Sequence, residues 1–142
     1  MQPTQRVVKA IRGAACAESN TPEAIERAGR RLVEAVTRLN DLSPSDVVSA
    51  IFTATPDLDA QFPAVGARQA GWNDVAILCA QEMAVPSPVR RCVRLLVHAY
   101  LPLDRPVRHA YLDEAVALRP DRAGAPDDGQ PGSVSSRSSE RS

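Results

Sequence analysis

The sequence predicts an α+β fold, a mixed β-sheet with helices on one face, and three observations in its 142 residues carry that prediction. Four apolar runs of strand length recur along the chain, at 7–17, 47–55, 75–79 and 89–101. Between the first two lies a long segment whose apolar residues return at helical spacing, and between the second and third a shorter one. The order β-α-β-α-β-β, followed by an element of mixed period, is that of a mixed sheet with helices packed against it.

The first strand is "VVKAIRGAACA" (7–17), in which Val8, Ala10 and Arg12 share one face and Val7, Lys9 and Ile11 the other. "NTPEAIERAGRRLVEAVTRLN" (20–40) has Thr21 to cap a helix, Pro22 at its first position and Glu23 in its first turn. Ile25, Ala28, Leu32, Val36 and Leu39 form its inner stripe, with Arg27, Arg30, Arg31, Glu34 and Arg38 outside. "SPSD" (43–46) reads as a turn or helical start before the strand "VVSAIFTAT" (47–55). "PDLDAQF" is a loop, and "PAVGARQAG" (63–71) a short helix begun by Pro63 and ended by Gly71. "VAILC" (75–79) is a third strand, "QEMAVPSP" a loop and "VRRCVRLLVHAYL" (89–101) a fourth strand. "VRHAYLDEAVALRP" (107–120) mixes both periods and reads as a short strand entering a helix. One domain thus spans 1–120. Residues 121–142, rich in Gly, Pro and Ser, bury too little to offset their ordering entropy and read as a disordered tail.

Composition narrows the function. Seventeen basic and seventeen acidic residues cancel, and no basic stripe marks a nucleic-acid partner. The start, "MQPTQRVVKA", lacks a signal-peptide core, and no run approaches membrane-spanning length, so the expected location is cytoplasmic. Cys16, Cys79 and Cys92 are odd in number and widely spaced, which fits a reducing compartment better than a disulfide framework. With only His98 and His109 besides, neither metal nor cofactor is expected.

Seven polar or reactive residues stand at strand ends or beside apolar runs: Arg12, Arg68, Cys79, Glu82, Arg94, Tyr111 and Arg119. Singly, each reads as a surface charge, a local ion pair or a core side chain. Arg94 is the exception that asks for a cause. Its neighbours Val93, Leu95, Leu96 and Val97 read as a buried strand, and a guanidinium at that depth needs a protein carboxylate or an anionic ligand.

In register, "IRGA", "TPEAI", "TATPDLDAQFPAVGAR", "CAQEMAVP", "RCVRLLV" and "RHAYLDEAVALRPD" resemble the AroH-class chorismate mutases over about residues 7–121. The resemblance implies a pseudo-α/β-barrel homotrimer with active sites between subunits. It implies an isomerase, turning chorismate into prephenate by a pericyclic [3,3] shift in aromatic amino-acid biosynthesis. Such a reaction needs no nucleophile and no general acid. It needs carboxylate clamps, a folded conformer and positive charge at the breaking ether bond. By the same resemblance Arg94 stands at the ether oxygen, and Arg12 and Tyr111 hold the enolpyruvyl carboxylate. Glu82 accepts the ring hydroxyl with the Cys79 backbone beside it. Phe62, Ala64, Ile77 and Leu78 form walls, and Arg68 and Arg119 flank the mouth. Val65 departs from members that carry a basic residue after "FPA", which implies weaker binding at most. The competing expectations are a trimer of the same shape, deaminase-like or merely ligand-binding, and an interaction module with solvated charges.

Overall fold

Thr21 begins the long helix as its sequence predicts: its side chain accepts the Ala24 N–H, and helix α1 runs Pro22–Asn40. The helix lies on a five-stranded sheet of β1 (Arg6–Cys16), β2 (Val47–Ala54), β3 (Ala76–Gln81), β4 (Cys92–Pro102) and β5 (Ala110–Tyr111). A second, short helix, α2, spans Ala64–Gln69, and 3-10 turns span Pro44–Asp46 and Asp113–Leu118. This computed structural model describes residues 5–86 and 89–118, so Arg119 and the 121–142 segment lie outside it.

The strand order is β3-β2-β4-β1-β5. β4 pairs antiparallel with both β1 and β2, while β2–β3 and β1–β5 are parallel, so the sheet is mixed as expected. Ile25, Leu32 and Val36 of α1 pack with Ile11, Phe52, Leu95 and Val97 from the sheet in one buried cluster. Removing such side chains from water is the main stabilising term. The two helices touch because glycine lets them: a Cβ on Gly66 would lie 2.1 Å from the Glu26 carbonyl oxygen, and one on Gly29 2.2 Å from that of Pro63. Gly71, at φ +104°, then turns the chain out of α2.

Several boundaries differ from the sequence reading. β3 starts at Ala76 and continues through Ala80 to Gln81, because its parallel ladder with β2 extends to Ala54. β4 starts only at Cys92: Arg91 adopts φ 47° and gives its N–H to Asp57 Oδ2, which breaks the extended run. After the two residues of β5, Asp113 at φ 53° starts a 3-10 turn, not an α-helix.

The opposite face of the sheet carries no helix. Its residues include Val8, Arg12, Ile51, Thr53, Leu78, Arg94, Leu96 and Tyr100, by the alternation of each strand. One end of this face is covered. Tyr111 and Ala115 close over Ala14, Val89 and Cys92 to form a second, small buried cluster.

Candidate active site

Arg94 is not buried, as its apolar neighbours had implied. Val93, Leu95 and Val97 point to the helices, and Arg94 alternates to the open face with its side chain 47% exposed. Leu96, read as buried, is half-exposed on the same face. The Arg94 guanidinium does have a protein carboxylate: its Nε stands 2.8 Å from Glu82 Oε2. Glu82 follows β3 directly, its N–H held by the Ala54 carbonyl and its Oε2 by the Thr53 hydroxyl at 2.7 Å. Thr53 is also the register partner of Arg94 across β2 and β4. Both contacts are made to Oε2.

Register brings the second arginine alongside. Arg12 pairs with Leu96 and Ala14 with Arg94, so the two arginines lie diagonally on one face of β1 and β4. Tyr111 reaches them because β5 pairs with β1 at Ala14. Arg12, Arg94, Tyr111, Ile51 and Thr53 line a cleft of about 260 Å³. Arg94 and Thr53 also line an adjoining cleft of about 740 Å³ with Glu82, Met83, Val85 and Arg90. Two guanidinium groups, one carboxylate and one phenol in an open cleft favour a small anion.

The remaining expected residues gather elsewhere. Phe62 and Cys79 line a separate cleft of about 320 Å³ along the β3 edge. Phe62 is 65% and Leu78 69% exposed, whereas Ile77 and Cys79 turn to the helix side and pack on the core. Burial pushes the Cys79 thiol up, partly countered by the Ala64 backbone N–H and the Arg68 charge, which places Ala64, Arg68 and Cys79 together. The Arg68 guanidinium donates to the Trp72 and Asn73 carbonyls. Val65 is half-buried in α2. One chain therefore holds two groups of expected site residues, one around Arg94 and one along β3.

The whole span from β1 to the last turn matches a family of known enzymes. The family described as chorismate mutase type I matches residues 8–122. The chain belongs to the type I chorismate mutases. It is similar to the chorismate mutase AroH of Bacillus subtilis (strain 168), 40% identical over 81% of this chain and 92% of that one. It is also similar to the chorismate mutase AroH of Thermus thermophilus, 44% identical over 84% of this chain and 99% of that one. Among solved structures, a chorismate mutase from Clostridium thermocellum superposes with a TM-score of 0.72 at 37% identity, covering 78% of this chain and 99% of that one.

Within this family member, sequence reasoning missed two supporting residues. Thr53 holds Glu82, and its only signal is a hydroxyl on the outward phase of an apolar strand. His109 accepts the Arg12 backbone N–H through Nδ1 at 2.9 Å, from a segment whose period is mixed. The cysteines, far apart in sequence, are less so in space: Cys16 and Cys92 are register partners, and all three are free thiols. Burial pushes the Cys92 thiol up to about 12, so it is protonated beside Arg94 and supplies no nucleophile. Among the described residues no three His, Cys, Asp or Glu side chains gather as a metal site, and no helix is long and apolar enough to cross a membrane.

Proposed function

We propose that the chain catalyses the intramolecular rearrangement of chorismate to prephenate, with Arg94 as its central catalytic group. The observation that carries this reading is the oriented pair of Arg94 and Glu82 beside Arg12 and Tyr111 on the open face of the sheet. Glu82 takes the Nε edge of Arg94, and the ligand is held by the Nη nitrogens. These stand at the ether oxygen as the C–O bond breaks and negative charge develops there. A guanidinium fixed in advance stabilises that charge more than the ground state, which is what lowers a barrier. Arg12 and Tyr111 hold the enolpyruvyl carboxylate and keep the substrate folded. Glu82 Oε1 accepts the ring hydroxyl. No proton is transferred and no covalent intermediate forms, so a protonated Cys92 suits the reaction.

The active form is a homotrimer with clefts between subunits. Val8, Leu78 and Tyr100 leave the helix-free face of the sheet with exposed apolar surface, which a second copy can cover. The β3 group of one copy (Phe62, Ala64, Arg68, Leu78 and Cys79) then supplies the wall and mouth for the Arg94 group of the next. By the family resemblance Arg119 is the fourth arginine of the site, and the four against Glu82 leave a net +3 for a dianion. The enzyme works in the cytoplasm without metal or cofactor, and residues 121–142 are a dispensable tail. Truncation after Arg122 is expected to leave turnover nearly intact, and a tenfold loss would refute that assignment.

Loss of chorismate absorbance on adding the purified protein tests the activity. A folded, assembled protein that leaves chorismate at its uncatalysed rate overturns the reading.

A further inference from the structure

We propose that His109 is a positioning residue for Arg12, and that it does this work only as the neutral imidazole. The proposal rests on the reading of Arg12 as a carboxylate clamp. A backbone N–H can only donate, so the bond from Arg12 N to His109 Nδ1 at 2.9 Å requires a bare lone pair on Nδ1. The ring does here what a strand carbonyl does elsewhere. The β1–β5 ladder begins at Gly13 and Ala110, so Arg12 falls one residue short of it and the preceding side chain extends it by one step.

The backbone that carries the ring is well anchored. Asn40, 1% exposed, donates to the Arg108 carbonyl at 2.9 Å and accepts the Arg108 N–H at 2.9 Å, tying the residue before His109 to the end of α1. On the strand side there is no slack: a Cβ on Gly13 would meet the Ala110 oxygen at 3.0 Å and Leu32 at 3.1 Å. Among the described residues, charged side chains on the adjoining stretches include Lys9 and Arg12 of β1, Arg105 and Arg108 of the approach segment, and Arg38 and Asp41 at the end of α1. Protonation puts a hydrogen on Nδ1 and sets donor against donor. The contact is therefore made by the neutral ring and is lost on its protonation, loosening Arg12 from its carboxylate.

The test measures kcat and KM for chorismate from about pH 5 to about pH 8.5, across which a histidine side chain can change its charge. Wild type is expected to show a KM rising roughly five- to tenfold toward the acid end, the worth of about one hydrogen bond, with kcat little changed. His109→Ala shows the raised KM at every pH. His109→Asn keeps an acceptor where Nδ1 stood, so its KM lies between the other two and stays flat on acidification. A ring-nitrogen NMR titration of the full-length wild type reads the same event without turnover: Nδ1 is bare at high pH and gains its proton in step with KM. A protonated Nδ1 at high pH, or an acid limb that survives in His109→Asn, overturns the proposal. Arg12→Ala separates the two readings. If its KM is normal, the clamp itself is wrong, whatever the NMR titration shows.

Discussion

Val93, Leu95 and Val97 alternate along one strand with Arg94, Leu96 and His98, yet the two sets live in different surroundings. The first set is at most 2% exposed and packs on α1, while Arg94 stands on a face without helices. One face of the sheet is fixed by shape and area, because any well-packed apolar residue satisfies it. The other is fixed by direction: Thr53, Glu82 and Arg94 each matter for where one polar atom points. A mutation on the inner face should therefore cost stability and spare the chemistry of folded molecules. A mutation on the open face should do the reverse.

The sharpest form of that contrast compares Phe52→Ala with Arg94→Ala. Phe52 is fully buried, so its truncation is expected to cost about 3–5 kcal/mol in chemical denaturation, with kcat per folded site near wild type. Arg94→Ala should lower kcat by roughly 10²–10³, more than it raises KM, because the charge acts mainly in the transition state. Its melting temperature should hardly move. A stable Arg94→Ala protein with near-normal kcat would mean that Arg94 serves only as the ion-pair partner of Glu82.

Thr53→Val probes the same divide with a smaller change. Valine keeps the shape and suits a strand, but it withdraws the hydroxyl that holds Glu82 Oε2. Glu82 would then hold Arg94 less firmly. The expected outcome is a kcat/KM about tenfold lower, from misorientation, with a stability loss of only about 1 kcal/mol. A drop in melting temperature with unchanged kinetics would move Thr53 to the structural side of the comparison.

The two faces also differ in how well the sequence discloses them. Ile11, Phe52 and Val97 follow strand alternation, and Thr21, Pro22 and Gly71 punctuate the helices, so the inner face and both helices were legible from local pattern. Leu96 was misjudged because an apolar residue on the outward phase looks like core when no covering partner is in view. β5 has two residues, too few for any period, and Asp113 turns left-handed where a helix start was read. The meeting of Arg12 with Arg94 depends on β1–β4 register, which no single segment encodes; only the ordered set of motifs, by resemblance, named both residues together. The close approach of α1 and α2 through Gly29 and Gly66 was likewise invisible, since a glycine inside a helical pattern signals weakness until its neighbour is known.

The smallest expected effect concerns Asp57, which sits at the rim between the two faces and titrates. Partial burial raises its carboxyl, but hydrogen bonds from the Thr55 hydroxyl and the Arg91 N–H outweigh that and hold it below its ordinary value. A carboxyl lowered on folding stabilises the native state above its unfolded pKa of about 3.9, and that contribution is lost as pH falls through the lower folded value. The bonds also set the left-handed turn at Arg91 from which β4 starts, and with it the path toward Arg94. Asp57→Asn removes the charge but keeps an oxygen that can accept from Arg91. Acid unfolding of wild type and variant, followed by circular dichroism, should therefore converge as pH drops below about 4, with a small gap in favour of wild type near neutrality. kcat near pH 7 should stay within about twofold, since a neutral oxygen can hold the turn. A gap that widens toward low pH has the wrong sign for a lowered carboxyl and would exclude Asp57 as the source. A large loss of kcat at neutral pH would show instead that the rim charge takes part in orienting the open face.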